Sequence, residues 1–256
     1  MAMSKAHDAL VTGQFGPRAG AYVESAVHAE GADLAALEAV AERVRPARAL
    51  DLGSGGGHAA YRLARHAGTV AAVDLSTDML KAVADTARRK GLANIETHRA
   101  SVDRLPFADA GFDMVVSRYS AHHWLDFEAG LREARRVAKP GAPALFLDVF
   151  TPGLALLDTY LQSVELMRDT SHVRNYTLAQ WSDALARAGF ALKAVQTWRL
   201  RLDFASWIAR MNTPEVFVQA IRALQAAAPE EVRRHFAIEA DGSFTIDTMM
   251  METAAD

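Results

Sequence analysis

The chain has 256 residues, half of them apolar, with a formal net charge of −3 and no cysteine. That excludes disulfides, thiolate metal sites and a cysteine nucleophile, and the near-neutral balance offers no electrostatic footprint for nucleic acid. No apolar run approaches the ~18 residues of a membrane helix, and residues 1–11 hold no apolar signal core. A cytoplasmic domain with a full core is therefore expected, without membrane or nucleic-acid partners.

Residues 1–20 mix Gly, Pro, Gln and charge, which reads as a flexible arm ending in a short helix. Over 33–45, Leu34, Leu37, Val40, Ala41 and Val44 recur at helical spacing, with Asp33 as the expected N-cap and Pro46 as the stop. Strands and helices then alternate: strand 47–52, helix 57–67, strand 69–75, helix 76–90 closed by Gly91, and strand 95–99. Strand 112–118, helix 127–138 and strand 144–150 follow. Such alternation implies an α/β, doubly wound parallel sheet with a ligand crevice outside the strands' carboxyl ends. After Pro152 the pattern breaks into helices over 154–168 and 178–188, a long strand over 191–202, and helices over 204–210 and 215–228. A strand over 244–249 is entered through Asp241-Gly242. The last two strands are expected to add antiparallel at the sheet edge, seven in all, with the intervening helices as a lid. The expected division is an N-terminal arm and helix over 1–45, a doubly wound core over 46–150, and a lid with the last two strands over 151–256.

The most informative segment is Ala49-Leu50-Asp51-Leu52-Gly53-Ser54-Gly55-Gly56-Gly57, followed by Ala71-Ala72-Val73-Asp74. Glycines let backbone approach a ligand and take positive φ at no steric cost. The helix start behind the turn offers free N–H groups, and a carboxylate closing the second strand can accept ribose hydroxyls. These features describe a nucleoside site. A dinucleotide fingerprint would put a small residue at position 58, where His58 stands. The spacing Gly53, Gly55, Gly57 after Asp51 instead resembles motif I of class I S-adenosylmethionine-dependent methyltransferases. That resemblance implies S-adenosyl-L-methionine as cofactor and S-adenosyl-L-homocysteine as product. Asp74 is expected at the ribose, and Asp51 either at the cofactor's amino group or capping the loop's own N–H groups. Ser54 lies in the loop, and Leu75 and Met79 can cover the adenine.

Residues Ala100-Ser101-Val102-Asp103-Arg104-Leu105-Pro106-Phe107 resemble the methyltransferase stretch G-D-A-x-x-L-P-F. The family's adenine-binding Asp corresponds to Ser101, a neutral hydroxyl, with the Val102 N–H beside it. The segment Ser117-Arg118-Tyr119-Ser120-Ala121-His122-His123-Trp124 follows the fourth strand; Ser117 is grouped with the cofactor residues. It lacks the N/D-P-P-Y/F pattern, which argues against nucleobase or protein-amide acceptors. His123 and His122 are the candidate general bases, and Arg118, Tyr119 and Trp124 the candidate substrate contacts. Lid residues His172, Arg174 and Arg210 either clamp a carboxylate or phosphate or form a solvated face. No His/Asp/Glu cluster has metal-ligand spacing, so no metal is expected.

Residues 50–149 resemble the ubiquinone/menaquinone-biosynthesis-type methyltransferases. The likeness rests on Val73-Asp74-Leu75-Ser76, Met79-Leu80, Leu105-Pro106-Phe107, and Arg135-Arg136-Val137 before Lys139-Pro140-Gly141. Nearly the whole chain resembles a narrower bacterial branch, the YafE-type methyltransferases, through residues 117–124, 168–176 and 209–214. The resemblance implies a Rossmann-like methyltransferase fold with an antiparallel last strand. It also implies methyl transfer to an O, N or C nucleophile of a small molecule, anionic or aromatic. Two other readings stand beside it: methylation of a carrier-bound or other macromolecular group, and cofactor binding without catalysis. A homodimer is left open.

Overall fold

The computed structural model describes residues 2–20 and 30–256. Part of the expected N-terminal arm, residue 1 and residues 21–29, lies outside them. Seven strands form one sheet: β1 (Arg48–Leu52), β2 (Thr69–Asp74), β3 (Ile95–Arg99), β4 (Met114–Arg118), β5 (Pro143–Val149), β6 (Phe190–Leu202) and β7 (Phe244–Ala255). Their spatial order is β3-β2-β1-β4-β5-β7-β6. The first five pair in parallel, and β1, β2, β4 and β5 read as nearly unbroken apolar runs because helices cover both faces. The order reverses on either side of β1, which makes the carboxyl ends of β1 and β4 the switch point where such sheets open a crevice.

The edge differs from the expectation. β7 lies between β5 and β6 and pairs antiparallel with both, so β6 runs parallel to the first five and only β7 is reversed. Burial explains the exchange. Met249, Met250 and Met251 of β7 are almost fully buried, whereas β6 carries Lys193, Gln196, Arg199 and Arg201 and leaves much of its length exposed. The apolar strand takes the inner place, and the charged one protects the edge.

The α-helices among the described residues are α1 (Ala2–Phe15), α2 (Ala32–Val44), α3 (His58–Leu63), α4 (Thr77–Arg89), α5 (Phe127–Val137), α6 (Ala155–Arg168), α7 (Leu178–Ala188), α8 (Phe204–Met211), α9 (Glu215–Ala227) and α10 (Glu230–His235). Most expected helices match within a few residues, but α10 was not foreseen, and α1 is a 14-residue helix rather than a flexible arm. Asp33 is not the N-cap of α2, a place taken by Gly31; it is buried in the first turn. Ser76 caps α4 and Asp126 caps α5, while Thr177 and Gln180 close a reciprocal capping box on α7.

Three apolar clusters hold the layers together. One packs α5 and α7 on one sheet face around Phe146 and Trp181. The second packs α2, α3 and α4 on the other around Leu37, Leu63 and Val83. The third joins α6, α8, α9 and α10 to the ends of β5, β6 and β7 around Leu161, Trp207 and Phe236. No helix among the described residues is long and apolar enough to cross a membrane.

Candidate active site

The loop after β1 takes three left-handed turns, at Gly53 (φ 66°), Gly55 (φ 48°) and Gly57 (φ 80°). The three differ in what they serve. A Cβ on Gly53 would fall 1.8 Å from Ser120 Oγ, so this glycine lets the loop press against the segment after β4. A Cβ on Gly55 would meet nothing within 4 Å, since this residue opens onto a crevice. Gly57 does not line that crevice. It precedes α3, and a Cβ there would strike the Tyr61 ring, 2.8 Å away.

Two carboxylates hold the loop in place. Asp74, ending β2, accepts the Gly55 N–H (2.9 Å) and the Ser76 N–H (2.8 Å), and burial raises its pKa. Asp51 accepts the Ala60 N–H at 3.0 Å, and burial pushes its carboxyl up to about 7. Both line the crevice, with Ser54, Leu75, Met79, Ser101 and Val102. Ser117 does not: its hydroxyl donates to Leu52 O at 3.2 Å inside the sheet. Two buried oxygens in the crevice wall, Ser54 Oγ and Asp103 Oδ1, have no hydrogen-bond partner among the described residues.

The far wall and roof come from elements the motif does not contain. Arg118, Tyr119, His123 and Trp124 line one side. Arg118 is buried, with its Nε donating to Asp33 Oδ2 at 2.6 Å, which explains why Asp33 is drawn inside α2's first turn. Trp124 Nε1 donates to Ser120 Oγ at 3.0 Å. Helix α1 supplies the roof through His7, Asp8, Val11 and Phe15. His7 Nε2 lies 2.8 Å from the His123 carbonyl, and the Phe15 ring meets the His123 ring edge-on at 5.0 Å. Burial, with the charge of Asp103 behind it, raises the Asp8 pKa. The crevice encloses about 1140 Å³, counting its open mouth.

A second, inner chamber of about 610 Å³, also counting open space, adjoins it and shares Phe15, Tyr119 and His123 as walls. Tyr119 adopts φ 51°, a left-handed conformation that costs a non-glycine residue energy and concentrates at functional sites. His122, Glu165, Asn175, Trp207 and Arg210 face this chamber. His122 Nδ1 lies 2.5 Å from Asp148 Oδ1, whose other oxygen accepts the Ala121 N–H. Asp148 raises the His122 pKa against the opposing effect of burial. His123 is pushed down to about 4 by burial and by its neighbour His122.

Two lid candidates lie outside both cavities. His172 bonds Gln162 at 2.9 Å and is held down to about 2 by burial. Arg174 pairs with Asp158 at 2.8 Å on a partly exposed face. Of the basic lid residues in the sequence, Arg168 and Arg210 reach the chamber wall. The residues missed were the α1 contacts, Asp103, Glu165, Asn175 and Trp207. Asp148 directly follows Leu147, the register partner of Arg118, so the β4–β5 pairing sets it beside the segment after β4. Among the described residues, no group of three or more His, Asp or Glu side chains could hold a metal.

A glycine-loop crevice at the switch point of a sheet ordered 3-2-1-4-5-7-6 defines a class I, Rossmann-like methyltransferase fold. The chain belongs to the methyltransferase family: residues 50–146 match the methyltransferase domain. It is 46% identical to the protein YafE of Escherichia coli K12 over 77% of this chain and 95% of that one. It is 32% identical to the methyltransferase YcgJ of Bacillus subtilis over 88% of each chain. The crystal structure of YcgJ superposes with a TM-score of 0.83 at 29% identity, covering 87% of this chain and 97% of that one. The ubiquinone/menaquinone biosynthesis C-methyltransferase UbiE of Rhizobium meliloti is 33% identical over 44% of this chain and 45% of its own.

Proposed function

We propose that this protein transfers the methyl group of S-adenosyl-L-methionine to an O, N or C nucleophile of a small molecule. The observation that carries the reading is the crevice at the β1/β4 switch point. There an open Gly55, the Asp74 carboxylate and the unpartnered Ser54 and Asp103 oxygens converge. These residues fit an adenosyl sulfonium compound. Asp74 would hold the ribose hydroxyls, and Asp51 the amino group of the amino-acid end. Leu75, Met79 and the Val102 N–H would hold the adenine. The exocyclic amine of adenine calls for an acceptor. Ser101 offers a hydroxyl, and Asp103 supplies a buried acceptor two residues further on.

When bound, the cofactor supplies an electrophilic methyl group on a good leaving group. The chain's own contribution is then alignment and exclusion of water, and positioning alone can lower a barrier by ~7–11 kcal/mol. The roof of α1 supports a small acceptor over a macromolecular one, because a bulky group would have to displace His7 and Phe15. Calorimetric titration with S-adenosyl-L-homocysteine tests the reading. Binding to the native protein and weak binding to Asp74→Ala are expected; no binding by the native protein removes the proposal.

A further inference from the structure

The inner chamber has the makings of a binding site rather than of ordinary packing. The Asn175 side chain is 98% buried (2% exposed) and faces the chamber, yet its Nδ2 donates to nothing among the described residues. A buried amide N–H without an acceptor is destabilising, and a ligand oxygen would remove that cost. Three aromatic rings, Phe15, Tyr119 and Trp207, and the aliphatic Val149, Leu200, Leu202 and Ile246 form much of the wall, and Glu165, Arg168, Arg210 and the two histidines the rest. Such a lining suits a flat apolar body with few polar substituents.

One wall carries a second ordered pair. His122 Nδ1 is fixed by Asp148 at 2.5 Å, and Asp148 is itself fixed by the backbone N–H groups of Ala121 (3.0 Å) and Val149 (2.8 Å). This sets the imidazole's tautomer and leaves Nε2 as the nitrogen without a hydrogen-bond partner among the described residues. The neighbouring His123 is differently placed: its Nδ1 lies 3.1 Å from the Ser171 carbonyl, and it lines both the chamber and the cofactor crevice.

The geometry points to the inner chamber as the acceptor site for a flat compound bearing an ionisable hydroxyl, a phenol or an enol, whose proton His122, oriented by Asp148, removes. The assignment rests on the methyltransferase reading above and adds to it the acceptor class and the base. The acceptor's O–H bond breaks, its proton goes to His122 Nε2, and the electron pair stays on oxygen as the nucleophile. Transfer of the methyl turns the cationic sulfonium into a neutral thioether, and the proton on His122 later leaves to solvent. An ammonium-bearing acceptor fits less well, because the chamber's one carboxylate, Glu165, already faces two guanidinium groups, Arg168 and Arg210.

The groups facing His122 are Asp148 from β5, Glu165 and Arg168 from α6, Asp169 and His172 from the loop beyond, Arg210 from α8, and its neighbours Tyr119 and His123. Asp148 is the one bonded to the ring, and it acts as a positioning residue.

The test uses 4-nitrophenol, which turns yellow on losing its proton, added to the full-length protein with S-adenosyl-L-homocysteine below the phenol's own ionisation. Bound phenolate is expected in the native protein and at least tenfold less in His122→Gln. In Asp148→Asn the pH midpoint of phenolate formation should move, and Asp148→Glu should restore it. Histidine ring NMR of the native protein, which needs no variant to fold, should show one imidazole whose titration shifts when 4-nitrophenol binds. A native protein that binds the nucleoside but forms no phenolate, or a His122→Gln variant that forms as much, overturns the acceptor assignment alone. A native protein that fails to bind the nucleoside overturns the methyltransferase reading and this assignment with it.

Discussion

Asp51, buried, and Asp74, half-buried, are both carboxylates of the crevice wall, yet substitution should separate them. Asp51 rises from 3.8 to about 7 on burial. A group whose pKa is higher folded than unfolded stabilises the protein below its unfolded value, and that contribution fades as pH climbs through the folded one. Stability should therefore decline between pH 4 and pH 7 on this account. Asp51→Asn should melt higher than the native protein at pH 8 while binding S-adenosyl-L-homocysteine more weakly. An unchanged melting temperature at pH 8 would show that the carboxylate is not held under strain. Asp74 instead carries two loop N–H bonds. Charge-assisted hydrogen bonds are worth ~1.5–3 kcal/mol each, so Asp74→Ala should weaken nucleoside binding by roughly 10–100-fold, as read by calorimetry.

Helix α5 shows how tertiary packing overrides propensity. Gly130 lies in its middle, where exchange to Ala would ordinarily gain up to ~1 kcal/mol. A Cβ there would come within 2.4 Å of the Trp124 ring, and overpacking of this kind costs ~1–3 kcal/mol. The second effect wins: Gly130→Ala should lower the denaturation midpoint, and it should disturb Trp124, which lines the crevice. A stabilised variant would show that the ring can step aside. The same element also marks what was legible in the chain. The alternation of periods fixes the strands and helices from β1 to β5, because each repeats its own short-range pattern. The glycine spacing with Asp74 marks the crevice because both ends lie on one local unit. Asn175 and Glu165 in the chamber were hidden because they meet only through lid packing, and Asp148 becomes legible beside His122 only once the β4–β5 register is known. Helix α1 was hidden by its mixed composition, and its apolar contacts face a crevice the sequence does not display as a neighbour.

At the scale of the molecule, the sheet supplies one half of each cavity and the appended helices the other. Core clusters on both sheet faces lie away from α1. Deleting residues 1–20 should therefore leave the cooperative unfolding transition in place while removing the roof contacts of His7, Asp8, Val11 and Phe15. Circular dichroism melting with calorimetry reads both outcomes. A truncated protein that binds S-adenosyl-L-homocysteine as tightly as the native one would make α1 a bystander.

Tyr119, twisted into its left-handed backbone state, stands as a party wall between two rooms. The Arg118 guanidinium covers one face of that ring, 4.5 Å from its centroid, so an occupant that moves this pair in one room alters the wall of the other. Occupants of the rooms must then sense each other, and the influence must be equal in both directions, since binding free energies form a closed cycle. The factor by which the nucleoside changes affinity for an inner-room ligand should equal the factor by which that ligand changes affinity for the nucleoside. Replacing Tyr119 by alanine should bring both factors toward one.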